Sequence, residues 1–201
     1  GFGNALNTHR AVRMLERAGA DCIQLEDQLA PKRCGHFNGK EVISSEEMCG
    51  KIKAAVDARR HDDTLILART DACATHGFEE AVRRAVAYQE AGADLLFVEA
   101  VTTRSEIESL TREADAPQVM NMVIGGKTPL LDVQTLASLG YGFALYANAA
   151  LQGAVLGMTR ALTTLRDTGK LDENPAIVAP FAERQRLVGK DEWDRLAQRY
   201  S

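Results

Sequence analysis

The hydrophobic positions of this chain fall into short apolar runs that alternate with longer amphipathic stretches. In a recurring unit, a helix-like stretch ends at a glycine and a mostly apolar run follows. A glycine with positive φ is a common helix terminator, and such a run is typical of a strand covered on both faces. This unit predicts strands at residues 22–26, 95–99 and 142–146. Two further apolar runs, which no such glycine precedes, predict strands at residues 64–69 and 118–122.

Helical periodicity fills intervals between these strands. Residues 45–59 place Met48, Ile52 and Val56 on one face, and residues 79–90 carry a similar apolar stripe. Strands that alternate with helices are typical of parallel βα units, which build either a doubly wound sheet or a (β/α)8 barrel.

Charged or amide side chains close four of the predicted strands. Glu26, Arg69, Glu99 and Asn121 hold these positions. In a barrel, the carboxyl ends of all strands surround one mouth, where such folds place their chemistry. An open sheet concentrates its site at one switch point instead. The distribution over several strands therefore favours the (β/α)8 TIM-type barrel.

The predicted strands are fewer than the eight of a closed barrel. We therefore expect residues 1–171 to form a partial barrel of about five βα units, with about three N-terminal units absent from this sequence. Pro175 and Pro180 interrupt the chain beyond this point. Residues 172–201 are predicted to form C-terminal helices that pack on the barrel or on another subunit.

The composition excludes several classes of protein. The chain has 201 residues, 45% of them hydrophobic, and a net charge of −4. A negative balance gives no support to a nucleic-acid partner, and no apolar run is long enough to predict a membrane span. The four cysteines show no CxxC spacing, and no secretion signal is visible. We expect reduced thiols and a cytoplasmic location.

A cationic segment with a thiol follows the first predicted strand. Residues 32–36 read Lys-Arg-Cys-Gly-His. Nearby positive charge favours the thiolate of a cysteine, so this segment suits a thiol that exchanges a proton beside an anionic substrate. Two alternatives stay open: Cys34 is an incidental loop cysteine, or Cys34 and His36 bind zinc, for which no second Cys or His pair has a suitable spacing.

Four motifs together give the chain a family resemblance: Leu25-Glu26-Asp27-Gln28, the 32–36 segment, Ala68-Arg69-Thr70-Asp71-Ala72 and Gly125-Gly126-Lys127-Thr128-Pro129. The chain resembles the isocitrate lyase/phosphoenolpyruvate mutase superfamily. Within it, the chain is similar to the short carbon–carbon lyases of the methylisocitrate, 2-alkylmalate and oxaloacetate-cleaving types. The resemblance implies a (β/α)8 barrel, a homotetramer with a C-terminal helix exchanged between subunits, and a Mg²⁺ or Mn²⁺ cofactor.

The resemblance also assigns the metal and the proton donor. Gly1-Phe2-Gly3 matches the tail of the family's metal motif, whose principal aspartates would precede Gly1. Glu26 would reach the metal through water. Cys34 would be the catalytic proton donor, with Gly35 and His36 facing substrate oxygens. The alternative for Glu26 is a salt bridge to a neighbouring strand end.

The remaining implied residues bind the substrate. Arg69 matches the arginine that clamps a substrate carboxylate, for which its planar fork is suited. Glu99 and Asn121 match pocket positions, and Glu99 would orient Arg69 or the thiol. A structural ion pair of Arg69 with Asp71 or Glu99 is the alternative role.

The implied reaction cleaves a small dicarboxylate through an enolate. Gln152 stands where methylisocitrate lyases have an arginine for the additional carboxylate. We therefore expect a 2-alkylmalate, dimethylmalate or oxaloacetate rather than a tricarboxylate. The alternatives are methylisocitrate lyase, a phosphonate-acting mutase or hydrolase, and a catalytically silent barrel that binds a dicarboxylate.

Overall fold

The computed structural model describes residues 3–34 and 39–201, which fall into two compact units, Gly1–Ala147 and Asn148–Ser201. The first unit contains α1 (Ala5–Arg17), β1 (Cys22–Glu26), α2 (Ser45–Ala58), β2 (Leu65–Thr70), α3 (Ala72–His76), α4 (Phe78–Glu90), β3 (Leu95–Val98), α5 (Arg104–Glu113), β4 (Val119–Asn121), α6 (Val133–Ser138) and β5 (Phe143–Leu145). The second contains α7 (Ala149–Thr168), α8 (Phe181–Leu187) and α9 (Lys190–Tyr200).

The boundary between the two compact units differs from the one expected from the sequence. The first unit ends at Ala147, so α7 belongs to the second unit, whereas the sequence analysis places residues up to 171 in the barrel. The boundary at Ala147 separates two compact units, whereas the expected boundary at residue 171 is the end of the barrel. Compactness within one chain does not define where a barrel ends. The boundary at residue 171 stays a prediction.

All five predicted strands are present, and each pairs in parallel with its neighbour. The sheet runs β1-β2-β3, and β4 pairs with β5. A parallel bridge between Leu96 and Gln118 joins the two parts. Glu26 is in register with Arg69, and Arg69 is in register with Phe97. The parallel order therefore brings the polar strand ends to the same edge.

The predicted helix ends and starts follow from local sequence signals. Gly19, Gly92 and Gly140 follow α1, α4 and α6 and have φ values of 89°, 104° and 93°. Such values are the left-handed conformation that glycine adopts without a Cβ clash. At the opposite end, the Ser44 hydroxyl accepts a hydrogen bond from the Glu47 N–H and caps α2.

Both faces of the sheet are apolar, as the uninterrupted runs predict. One face packs against the helices: its buried side chains include Leu25, Ile66 and Leu96, which share a core cluster with Met48 and Ile52 of α2. The other face carries a smaller cluster and borders an apolar cavity of about 470 Å³. Within the described residues, no helix is long and apolar enough to span a membrane.

A buried carboxylate ties the end of β1 to β2 and α4. Asp27 is fully buried, and its Oδ2 accepts hydrogen bonds from Thr70 Oγ1 at 2.7 Å, Tyr88 Oη at 2.8 Å and Arg84 Nη1 at 3.0 Å. Its Oδ1 accepts a hydrogen bond from the Asp71 N–H at 2.9 Å. A buried charge needs such compensation, and here the compensation fixes the turn that follows β2.

We predict that Tyr88→Phe destabilises the protein by about 1–2 kcal/mol, because the variant removes one donor to a buried charge without opening a large cavity. The measurement is the free energy of unfolding in urea. Tyr200→Phe is the control, since Tyr200 is 75% exposed and keeps its ring in this variant. Equal stabilities of the two variants would contradict the role of the Tyr88 hydroxyl.

Candidate active site

The polar residues predicted at the strand ends lie together. Glu26 ends β1, Arg69 lies near the end of β2, Glu99 directly follows β3, and Asn121 ends β4. Because the strands are parallel and in register, their side chains converge at the carboxyl edge of the sheet. The structure thus brings four sequence-predicted site residues into one cluster.

Arg69 is the centre of this cluster. Its guanidinium forms two hydrogen bonds to Asp71, at 2.9 Å from Nε and 3.2 Å from Nη2. Nε also lies 3.2 Å from Glu26 Oε1, and Nη2 lies 3.1 Å from Glu99 Oε2. The Arg69 Cζ atom stands 4.9 Å from the centroid of the Phe97 ring. The ion pairs considered as alternatives for Glu26 and Arg69 are therefore present.

Burial changes the protonation of two carboxyl groups in this cluster. Burial, and then a hydrogen bond with Asp71, raise the pKa of Glu26 above its ordinary value, against the opposing charge of Arg69. Burial also acts to raise the pKa of Asp71, but hydrogen bonds with Arg69 and Glu26 outweigh it and lower that pKa. Of the two, Asp71 is the one that holds its negative charge, and Glu26 is the one that more readily keeps a proton.

The segment with the thiol is tied to the same carboxylates. Lys32 Nζ lies 3.2 Å from Glu26 Oε2, and Lys40 Nζ lies 3.5 Å from Asp71 Oδ1. Cys34 lies between these lysines in the sequence and is an exposed, free cysteine. The predicted site residues Gly35 and His36 lie outside the described residues.

Sequence analysis missed two residues of this region. Lys40 is buried although its side chain is charged, and Gln28 forms side-chain hydrogen bonds to Glu26 and to the backbone of Arg33. Neither residue has a spacing that marks it, because each depends on the path of the intervening loop. The only available signal was that Gln28 belongs to one of the motifs of the resemblance.

Asn121 leaves a polar atom without a partner. Its Nδ2 donates a hydrogen bond to Glu99 Oε2 at 3.3 Å. Its Oδ1 is buried and has no hydrogen-bond partner among the described residues. A buried acceptor without a donor is costly, so this atom suits a ligand hydroxyl or a metal-bound water.

The described residues fit Mg²⁺ in the type of their donors. Oxygen ligands suit this cation, and Glu26, Glu99 and Asn121 supply them at the strand ends. However, the Glu26 and Glu99 carboxylates already contact Arg69. Within residues 3–34 and 39–201, no three His, Cys, Asp or Glu side chains are grouped to hold a metal ion. The fit is therefore in the type of donor, and a contact of Glu26 with the metal through water stays a prediction of the family resemblance.

Comparison with known sequences gives long matches. A sequence model of the phosphoenolpyruvate phosphomutase family matches residues 1–166. The chain is 42% identical over 201 residues to the 2,3-dimethylmalate lyase of Eubacterium barkeri, and covers 100% of itself and 70% of that protein. It is 46% identical over 195 residues to the 2-methylisocitrate lyase of Aeropyrum pernix, with 97% and 63% covered. The chain thus spans about two thirds of the length of these relatives.

Solved structures give the same picture. A crystal structure of 2,3-dimethylmalate lyase superposes with a TM-score of 0.88 at 32% identity, covering 100% of this chain and 67% of that one. Oxaloacetate acetylhydrolase with 3,3-difluorooxalacetate gives 0.86 at 31% identity, with 98% and 68% covered. Phosphonopyruvate hydrolase with oxalate and Mg²⁺ gives 0.83 at 32% identity, with 100% and 70% covered.

We predict that Glu26→Gln changes how stability depends on pH. The raised pKa means that the folded protein binds the Glu26 proton more tightly than the unfolded chain does. That contribution is present below the unfolded value and is lost as the pH rises through the folded pKa. The free energy of unfolding of Glu26→Gln, relative to the wild type, should therefore increase as the pH rises from 4.5 towards neutrality.

Urea denaturation at several pH values, in the presence of EDTA, measures this difference. Glu79→Gln, at an exposed position of α4, is the matched control and should show no such trend. A difference for Glu26→Gln that stays constant across this range would show that Glu26 ionises in the folded protein as it does in the unfolded chain.

Proposed function

The chain belongs to the phosphoenolpyruvate mutase/isocitrate lyase superfamily, and we propose that it acts as a carbon–carbon bond lyase on a small 2-hydroxy or 2-keto dicarboxylate. Its fold is the partial (β/α)8 barrel of that superfamily. The named relatives cleave or transform small organic acids, as their names state.

The observation that carries the proposal is the shared use of Glu26. The Glu26 carboxylate contacts Arg69, which lies at the strand ends, and Lys32, which lies two residues before Cys34. A guanidinium suited to a substrate carboxylate and a segment that carries a thiol are therefore held by the same acidic side chain. This arrangement supports binding of an anionic substrate next to a proton donor.

The proposed reaction uses the side chains of this chain in two roles. Nε and Nη2 of Arg69 already contact Asp71, Glu26 and Glu99, so Nη1 is the group with which Arg69 binds a substrate carboxylate. Asn121 Oδ1 accepts a hydrogen bond from a substrate hydroxyl.

Loss of the hydroxyl proton to water turns the carbinol carbon of a 2-hydroxy acid into a carbonyl, and the broken carbon–carbon bond leaves its electron pair on the neighbouring carbon, as an enolate. A 2-keto acid reacts in the same way as its hydrate, so that water is consumed and the former keto carbon becomes a carboxyl carbon. Cys34 Sγ–H donates its proton to the enolate carbon, which becomes a methyl, methylene or methine group, and the thiolate regains a proton from water.

We propose Mg²⁺, or Mn²⁺, as the cofactor, with Glu26 in contact through water. A divalent cation, when bound, makes the hydroxyl of an α-hydroxy acid more acidic. The Mg²⁺ in the phosphonopyruvate hydrolase structure supports this assignment. The homotetramer and the cytoplasmic location that the family resemblance implies stay predictions, as do the roles of Gly35 and His36.

The favoured substrate is a dicarboxylate of the 2-alkylmalate, dimethylmalate or oxaloacetate type. Gln152 cannot supply the charge with which an arginine would bind an additional carboxylate. The similarity to a dimethylmalate lyase and to an oxaloacetate-cleaving enzyme supports this choice. Methylisocitrate is a second candidate because of the similarity to the Aeropyrum pernix enzyme, and a phosphonate is a third because of phosphonopyruvate hydrolase.

We predict that the full-length protein cleaves one of these dicarboxylates in the presence of Mg²⁺. The measurement is a screen of 2-hydroxy and 2-keto diacids, methylisocitrate and phosphonopyruvate, with release of glyoxylate, pyruvate, oxalate or phosphate followed. EDTA should abolish turnover, and excess Mg²⁺ should restore it. Binding of a dicarboxylate without turnover would favour the catalytically silent barrel.

We predict that Cys34→Ser lowers kcat by about 10²-fold or more, the typical contribution of a positioned acid, because a serine hydroxyl is a much weaker acid than a thiol. Cys22→Ser is the matched control, since Cys22 is also exposed and free. Full lyase activity of Cys34→Ser would exclude the thiol as the donor. Release of phosphate from phosphonopyruvate by both variants would instead favour the phosphonate-acting enzyme.

A further inference from the structure

We propose that Gln28 is a positioning residue that fixes the peptide unit before Cys34 against the Glu26 carboxylate. This inference rests on the proposed function, since the catalytic value of the position depends on Cys34 as proton donor. It goes beyond that function because it assigns the placement of the thiol segment to a neutral side chain outside the charged cluster.

The side-chain amide of Gln28 is fully used. Its Oε1 accepts a hydrogen bond from the Arg33 N–H at 2.8 Å. Its Nε2 donates to the Arg33 carbonyl oxygen at 2.9 Å and to Glu26 Oε1 at 3.0 Å. A primary amide has one carbonyl oxygen and two N–H groups, so all three polar functions of this side chain have partners.

The contact with the Arg33 carbonyl is the one that reaches the thiol. This carbonyl belongs to the planar peptide unit whose other end is the Cys34 nitrogen. The Arg33 N–H belongs to the preceding peptide unit, so the two contacts with Gln28 hold the planes on both sides of the Arg33 Cα atom. They restrict φ and ψ of Arg33 and thereby set the position of the Cys34 Cα atom.

The backbone around Gln28 is held by hydrogen bonds to residues 41–43. The backbone of Gln28 lies in an antiparallel bridge with Val42. On either side, the Leu29 N–H donates to the Glu41 carbonyl oxygen at 2.9 Å, and the Ile43 N–H donates to the Asp27 carbonyl oxygen at 2.8 Å. Gln28 is 8% exposed, so its side chain extends from a fixed backbone through a site with little water.

The Arg33 side chain lies beside Gly39. Gly39 has a φ of 74°, and a Cβ atom at this position would lie 2.8 Å from Arg33 Nη1. The Arg33 guanidinium therefore lies close to the Gly39 backbone. The Arg33 side chain is exposed, so the two backbone contacts with Gln28 are what hold the residue that precedes the thiol.

The chemistry of the amide is specific for this role. A methionine has nearly the same length but no donor or strong acceptor, and an asparagine is one methylene too short to span three partners. A glutamate accepts from the Arg33 N–H but offers no donor when ionised, and it faces the charge of Glu26. When protonated, it regains one donor.

The test compares Gln28→Met and Gln28→Glu with Gln134→Met, which changes an exposed glutamine of α6. Trypsin cleavage of the folded protein after Arg33 reports the release of this peptide unit, since cleavage requires a locally freed backbone. Steady-state kinetics on the substrate found by the screen reports catalysis. Urea denaturation shows that each variant is folded.

We expect Gln28→Met to be cleaved after Arg33 at least about 5-fold faster than the wild type, because it lacks both contacts to the Arg33 backbone. We also expect kcat to fall about 10-fold or more with KM within about 2-fold, because Gln28 positions the acid and does not touch the substrate. Gln134→Met should match the wild type in both measurements.

The Gln28→Glu variant is the second test, and it keeps the proposal testable if Gln28→Met fails to fold. A glutamate keeps the acceptor for the Arg33 N–H but, when ionised, has no donor for the Arg33 carbonyl. We therefore expect this variant to be cleaved after Arg33 faster than the wild type, and its kcat to fall with KM within about 2-fold. Wild-type rates of cleavage and of turnover in Gln28→Glu would contradict the hydrogen-bonded role.

The outcomes separate this inference from the proposed function. Unchanged cleavage after Arg33 in both Gln28 variants, or faster cleavage with wild-type kcat, would overturn the positioning role. If the wild type cleaves no substrate but the Gln28 variants are still nicked faster, the proposed function fails and the hold of Gln28 on the Arg33–Cys34 peptide unit stands.

Discussion

Asp27 must receive several hydrogen bonds because its carboxylate is fully buried, and its donors come from β2, from the turn after it and from α4. The residue on one side of it is Glu26, which therefore has a fixed direction at the strand end. Asp71 donates its backbone N–H to Asp27, and its side chain accepts hydrogen bonds from Arg69. The geometry of the charged cluster thus depends on the neighbouring buried carboxylate of Asp27.

Balanced charge explains how so many ionisable groups share one strand edge. The carboxylates of Glu26, Asp71 and Glu99 face Arg69, Lys32 and Lys40. A neutral set of this kind reduces the cost of burial, but it offers no net attraction to a dianion. A bound divalent cation would supply that attraction, so the charge balance and the proposed Mg²⁺ support the same conclusion.

The parts of the site that were predictable are those set by strand periodicity. Glu26, Arg69 and Asn121 were expected at the mouth because the apolar runs end there, and parallel strands end at one edge. Lys40 and Gln28 were not, since a residue reached through a loop has no periodic signal. The burial of Lys40 beside Asp71 depends on where the chain returns, which local sequence does not define.

Arg69 and Cys34 are held in different ways, one by a strand and the other by side-chain contacts to a segment outside the sheet. Arg69 lies on a central strand, paired on both sides and packed on Phe97, so it holds its position without help from the loop. Cys34 lies on a segment joined to the strands through the Lys32 ion pair and the Gln28 amide. Both of these contacts end on Glu26, which also contacts Arg69. The carboxylate at the end of β1 therefore joins the strand that carries the guanidinium to the segment that carries the thiol, and the relative position of these two groups depends on one side chain.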